Sequence, residues 1–181
     1  MPYRIVILSI LLFVFPALVF SQALSDDDAK EPAKNLRLAA AKMLKAYTSR
    51  DFQTSADLIH PNAVQVFFGG RNRLIEALEM TAHKLDSQNY IMTGGAIQGI
   101  SKIYRSGKEL HAVVTQSVRA RIPNGGINSI TSLLAISSDN GLTWTFIGIG
   151  SWKRDDLQKV IPGLSAELEI PEPIRPTIIP D

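Results

Sequence analysis

Acid–base, metal and phosphate chemistry each need particular side chains at particular spacings, and this chain offers few. Between Ala96 and Trp152 the only carboxylates are Glu109 and Asp139, and both fall at turns. A carboxylate base facing oxyanion donors from the middle of a strand is therefore missing, in whichever register the strands pair. His60, His83 and His111 lie on separate segments without the spacing of metal ligands, which points to surface or capping roles. Arg119 and Arg121 form a basic pair two residues apart, with Lys102 a further cation, and are read as a solvated strand face. Gly148-Ile149-Gly150 has the look of a nucleotide loop but lacks a phosphate-binding lysine; inside a strand its glycines permit curvature or a bulge.

The most motif-like stretch is Ser137-x-Asp139-x-Gly141-x-Thr143-Trp144. Repeated copies of this turn would describe the blades of a propeller, and a single copy does not. As a lone element it predicts a hairpin corner: Asp139 accepts amide hydrogens, Gly141 adopts positive φ and Trp144 packs beside them.

The first 21 residues read as a secretory signal peptide. Arg4 is the only charged side chain before Asp26, and the apolar run from Ile5 to Phe20 is 16 residues long. That is short of the roughly 20 needed to span a bilayer, and Pro16 suits a break before a protease site. Cleavage after Ser21 or Ala23 and a secreted or periplasmic location are expected. The chain has no cysteine, so neither a lipid-modified cysteine nor a disulfide nor a thiolate metal site is available. Without the leader, 18 basic residues face 17 acidic ones. This balance gives no electrostatic case for nucleic acid or an anionic membrane. No cofactor or stable membrane anchor is expected for the mature protein.

The elements that must position any site follow from periodicity. Residues 22–31 read as a flexible, solvated linker around Asp26-Asp27-Asp28. From Pro32 a helix carries Leu36, Ala40, Met43, Leu44 and Tyr47 on one stripe. A second helix is expected from an Asp51 cap to His60-Pro61, a short strand over Val64–Phe68, and a third helix after Gly69-Gly70. Four β-rich segments follow: Ala96–Tyr104, Leu110–Ile122, Ile127–Ser137 and Leu142–Ser151. Their short turns dictate an antiparallel meander.

A three-residue loop at Asn124-Gly125-Gly126 predicts one inner face with Leu110, Ala112, Val114, Gln116 and Val118. Ile130, Ser132, Leu134 and Ile136 join it, as do Leu142, Trp144 and Phe146. His111, Thr115, Ser117, Arg119, Arg121, Ser129 and Thr131 then fall on the outer face. The domain is placed at 32–161, with a Pro-rich tail over 162–181.

Helix, helix, short strand, helix and a long meander resemble the nuclear transport factor 2-like superfamily, which includes ketosteroid isomerase and the SnoaL-like cyclases. The segments carrying the resemblance are Ala46-Tyr47-Thr48-Ser49-Arg50-Asp51-Phe52, Ala56-Asp57-Leu58-Ile59-His60-Pro61 and the Phe68-Gly69-Gly70 turn, within residues 32–152. The resemblance implies an α+β cone: three N-terminal helices on a curved four- to five-stranded antiparallel sheet, enclosing a pocket. It also implies homodimers through the outer sheet face.

The expected function is an exported module that binds a small hydrophobic ligand or a protein partner. Its pocket is expected to draw on Tyr47, Ser101, Gln116, Ser132 and Trp144, with no catalytic residue assigned. The alternative is a dehydratase or isomerase using histidine and tyrosine, with His111 beside Tyr104 or Tyr90 as the candidates.

Overall fold

The computed structural model describes residues 21–150 and 152–180, so the expected leader lies outside the described residues except for Ser21. The fold is α+β, with an open antiparallel sheet of seven strands and five α-helices. No helix among the described residues is long and apolar enough to cross a membrane.

After a short strand β1 (Ser21–Ala23), helix α1 runs from Asp26 to Ser49. The expected linker is thus mostly helix. Ser25 caps it by accepting from the Asp28 amide, and three aspartates complement the positive end of the helix dipole. The same charge run that looks like a solvated spacer is a helix start. Pro32 sits inside α1 rather than in its first turn. Leu36, Ala40 and Leu44 are the buried stripe that faces the sheet.

Helix α2 (Phe52–Leu58) is capped by Asp51, whose carboxylate accepts from the Thr54 amide. The segment expected as a strand, Val64–Phe68, is instead a π-helical turn that continues the short helix α3 (Pro61–Ala63). His60 Nδ1 caps α3 by accepting from the Asn62 amide, and Gly69 at φ 68° ends the turn. This local capping overrides the β preference of a five-residue run. Helix α4 (Arg71–Ser87) follows, tied to the end of α1 by the Arg50–Asp86 ion pair.

Strands β2 (Ile91–Ile100), β3 (Tyr104–Ser106), β4 (Glu109–Ile122), β5 (Gly125–Ser137) and β6 (Thr145–Gly148) complete the main sheet. The long β4–β5 hairpin is its spine. Strands β2 and β3 both pair with β4, and β5 pairs on its other edge with β6 and the C-terminal β7 (Thr177–Ile179). At Gly95 of β2, a Cβ would stand 2.4 Å from the Ser117 carbonyl and 2.9 Å from Leu44, so glycine lets α1 lie close against the sheet.

The register corrects the expected faces. Ile122 pairs with Gly125, so the turn is the two residues Pro123-Asn124, and Gln116 stands opposite Thr131. A one-residue slip moves every side chain of β5 to the other face. Ser129, Thr131 and Leu133 therefore share the inner face with Gln116 and Val118, while Ile130, Ser132, Leu134 and Ile136 lie on the outer one.

That outer face is partly covered by the chain itself. Helix α5 (Arg154–Val160) and the segment after it bring Leu157, Val160, Ile161, Leu164 and Leu168 onto Val113, Leu134, Ile136 and Ile147. The tail is thus packed onto the sheet as far as Ile170. Arg154 holds the cover by donating to the carbonyls of Ser165 (2.8 Å) and Leu168.

Candidate functional site

The inner face is filled at one end and hollow at the other. Near the Ser137 corner, Leu110, Ala112, Val114, Leu133 and Ala135 pack with Leu36, Ala40, Trp144 and Phe146. Towards the β4–β5 turn the same face opens into a cavity of about 750 Å³. Met43 and Tyr47 of α1, Ser55 of α2, Ile59 just after it and Leu78 of α4 form one side. Phe67 and Phe68 of the π-helical turn lie between them, and Tyr90, Met92, Gln116 and Val118 form the sheet wall. This size is typical of small-molecule sites, as is a mostly apolar lining with a few polar groups.

Two polar side chains set the chemistry of this cavity. Gln116 is only 6 % exposed and its Oε1 has no hydrogen-bond partner among the described residues; Ser55 is 2 % exposed and its Oγ is likewise unpartnered. Buried polar atoms are nearly always bonded, because an unpaired one costs about 1–3 kcal/mol. Both of these residues line the same void. Ser129 and Thr131 add hydroxyls beside Gln116 on the inner face. Burial, and secondly the neighbouring Tyr90, push the Tyr47 phenol above its ordinary pKa, so its hydroxyl stays a protonated donor near neutral pH.

Of the five residues expected to form the pocket, Tyr47, Gln116 and Ser132 line this cavity. Ser132 lies on the outer face and meets the void at the β5 edge, where β6 ends at Gly148. Ser101 and Trp144 are elsewhere. Ser101 closes the end of β2: its Oγ accepts from the Val113 amide at 2.9 Å and donates to the Lys102 carbonyl at 2.7 Å. Trp144 is buried in the filled end, against Leu36 and Phe146. Its alternation was read with the right sign, but the inner face has two compartments and Trp144 belongs to the solid one.

Ser55, Met43 and Trp152 were missed. Ser55 lies three residues after Phe52 and four before Ile59, so the helical period places it on the apolar face of α2. Trp152 meets Phe67 edge to face, ring centroids 4.6 Å apart, at the cavity wall.

The histidines do not enter the cavity. His111 is fully buried on the outer face, where its Nδ1 accepts from the Ser165 amide at 3.1 Å and its Nε2 lies 3.0 Å from Glu109 Oε2. It pairs with Tyr104 across β3 and β4, away from Tyr90. Burial lowers its pKa, with the Glu109 bond opposing. No group of three His, Asp or Glu with metal-holding geometry occurs among the described residues.

The Ser137–Trp144 corner is a structural box. Ser137 Oγ accepts from the Gly141 amide (2.8 Å), and Asp139 accepts from the Thr143 amide (2.9 Å) and hydroxyl (2.6 Å). Desolvation pushes Asp139 up, but the bonds from Thr143 and Ser137 outweigh it and hold the carboxyl below its ordinary range.

No family model, curated protein or solved structure matches this chain.

Proposed function

We propose that this chain is a binding module of nuclear transport factor 2-like design. It holds a small, largely apolar ligand in the cavity between α1, α2, α4 and the sheet. The observation that carries the reading is the unpartnered Gln116 amide, buried on the wall of a 750 Å³ apolar void. A buried amide without a partner is a fixed cost to the empty protein, and a bound polar group removes it. Among the described residues the lining supplies amide and hydroxyl groups but no carboxylate or histidine. Such a set supports hydrogen bonding and orientation better than proton abstraction. The leader-like start supports export of the module. A homodimer through the outer face would use the part around Arg119 and Arg121, which is exposed.

Nile red, a neutral dye that brightens in apolar surroundings, tests the reading. Saturable, one-to-one brightening is expected, accompanied by a change in Trp152 emission. Met43→Trp, which fills the void from α1, should abolish it, while the exposed Leu38→Trp should not. A wild-type protein that leaves Nile red dark, or a Met43→Trp protein that brightens it equally, would overturn the proposal.

A further inference from the structure

The cavity's lining decides the charge of its ligand. All twenty described residues around it are uncharged; no Lys, Arg or His is among them, and no Asp or Glu. An ionised group carried inside would leave water without a counter-charge, which is the costliest kind of burial. The polar groups at hand are neutral, and the innermost are the two unpartnered ones, Gln116 and Ser55. A primary amide has both a donor and an acceptor to satisfy, and a serine hydroxyl is the same in kind. A carboxylate only accepts and an ammonium only donates; a hydroxyl does both.

Resting on the binding reading above, we infer that the cavity selects an uncharged amphiphile, an alcohol-type ligand whose hydroxyl is held by Gln116, over a carboxylate with the same carbon skeleton. The hydrocarbon part then lies against Met43, Ile59, Phe68, Leu78, Met92 and Val118. The hydroxyl donates to Gln116 Oε1, leaving its own lone pairs for a neighbouring donor. Thr131, directly across the β4–β5 ladder from Gln116, is the nearest hydroxyl by register. Ser55 approaches from the opposite, helical wall. A carboxylate in this position could take Gln116 Nε2 as a donor, but it would leave Oε1 unpaired and meet no cation among the described lining residues.

Competition against bound Nile red at pH 8 separates the possibilities, with 1-decanol, decanoate and decane as the competitors. Decanol is expected to displace the dye at a concentration about tenfold or more below that of decanoate, and below that of decane. In Gln116→Leu the decanol curve should move to meet the decane curve. Decanoate displacing as well as decanol, or none of the three displacing a dye that binds, would overturn the inference and leave the binding reading standing. A dye that never binds wild-type protein removes the binding reading itself. If Gln116→Leu fails to fold, as far-UV circular dichroism would report, the wild-type series still decides.

Discussion

At the Ser137 end of the β4–β5 hairpin both faces of the sheet are packed; towards the Pro123 end the inner face is hollow and the outer one only partly covered. In the first region, Leu110 to Val114 bury their inner side chains under α1 and their outer ones under the C-terminal segment. In the second, Gln116 and Val118 look into the cavity while Thr115 is half-buried and Arg119 is exposed on the other side. The two ends belong to the same strands, with the same alternation of residues. What differs is the side-chain volume that helices and tail bring to each. Stability should therefore concentrate at the closed end and binding at the open one, and that division can be tested residue by residue.

The largest effect is expected at Leu134, fully buried between β5 and the C-terminal cover. Leu134→Ala should cost about 2–5 kcal/mol in urea unfolding, as truncations that leave a cavity in a packed core do. Val118→Ala merely widens an existing void and should cost about 1 kcal/mol. Equal losses at the two positions would break the division. Next comes Gly141, at φ 85°, where an added Cβ would stand 2.6 Å from Pro32 Cβ. Gly141→Ala should cost about 1–3 kcal/mol through backbone strain and the clash with α1. Gly99→Ala, with nothing within 4 Å of its Cβ, is the matching control and should change stability by less than 1 kcal/mol.

These two regions also differ in how legible they were. The closed end follows from local rules: a β-branched run, an Asp–Gly corner, and Trp144 and Phe146 on the helix-facing side. The Ser137–Trp144 box was read with its bonding roles as they stand. The open end hinged on a single residue of turn length. Asn124-Gly125-Gly126 and Pro123-Asn124 are both acceptable turns, and the choice between them sends Ser129 and Thr131 either to the cavity or to the outer face. Gln116 was placed on the inner wall because its own strand carries the alternation, independent of the turn. Ser101 and Trp144 were assigned to the pocket because alternation names a face but not where along it the packing stops. The π-helical turn and the C-terminal cover depend on tertiary contacts that no local pattern carries.

The pH dependence should come from the closed end. His111 is held neutral there, its Nδ1 occupied by the Ser165 amide and its Nε2 facing Glu109, while the partly buried His60 stands near both. Burial lowers both histidine pKa values below the ordinary 6.5. The unfolded chain then binds protons that the folded one refuses. The contribution of neutral His111 is complete above about pH 6.5 and is lost as the pH falls through 6.5 towards the lower folded value. Urea stability should fall with pH below 6.5, by no more than about 1.4 kcal/mol per pH unit for each proton taken up. His111→Gln, which can still accept from Ser165, should flatten that slope. Stability that rises on acidification would contradict the burial of His111 as the cause.

The smallest change in stability belongs to the residue with the largest expected effect on ligand selectivity. Replacing a well-bonded buried glutamine by leucine normally strands its partners, but Gln116 Oε1 has no partner among the described residues to lose. Gln116→Leu removes an unpaired amide and leaves its side-chain volume nearly unchanged, so unfolding free energy should shift by less than about 1 kcal/mol, if anything upward. Ser132→Ala, at the open β5 edge, should be as mild. A large loss in Gln116→Leu would mean that the amide is bonded in the resting protein, through ordered water or a partner across the cavity. The unpaired amide would then no longer mark the open end as a site. Unchanged stability together with a lost preference for decanol separates the two ends as the geometry does. The closed end holds the sheet together, and the open end keeps an amide unpaired for a ligand to meet.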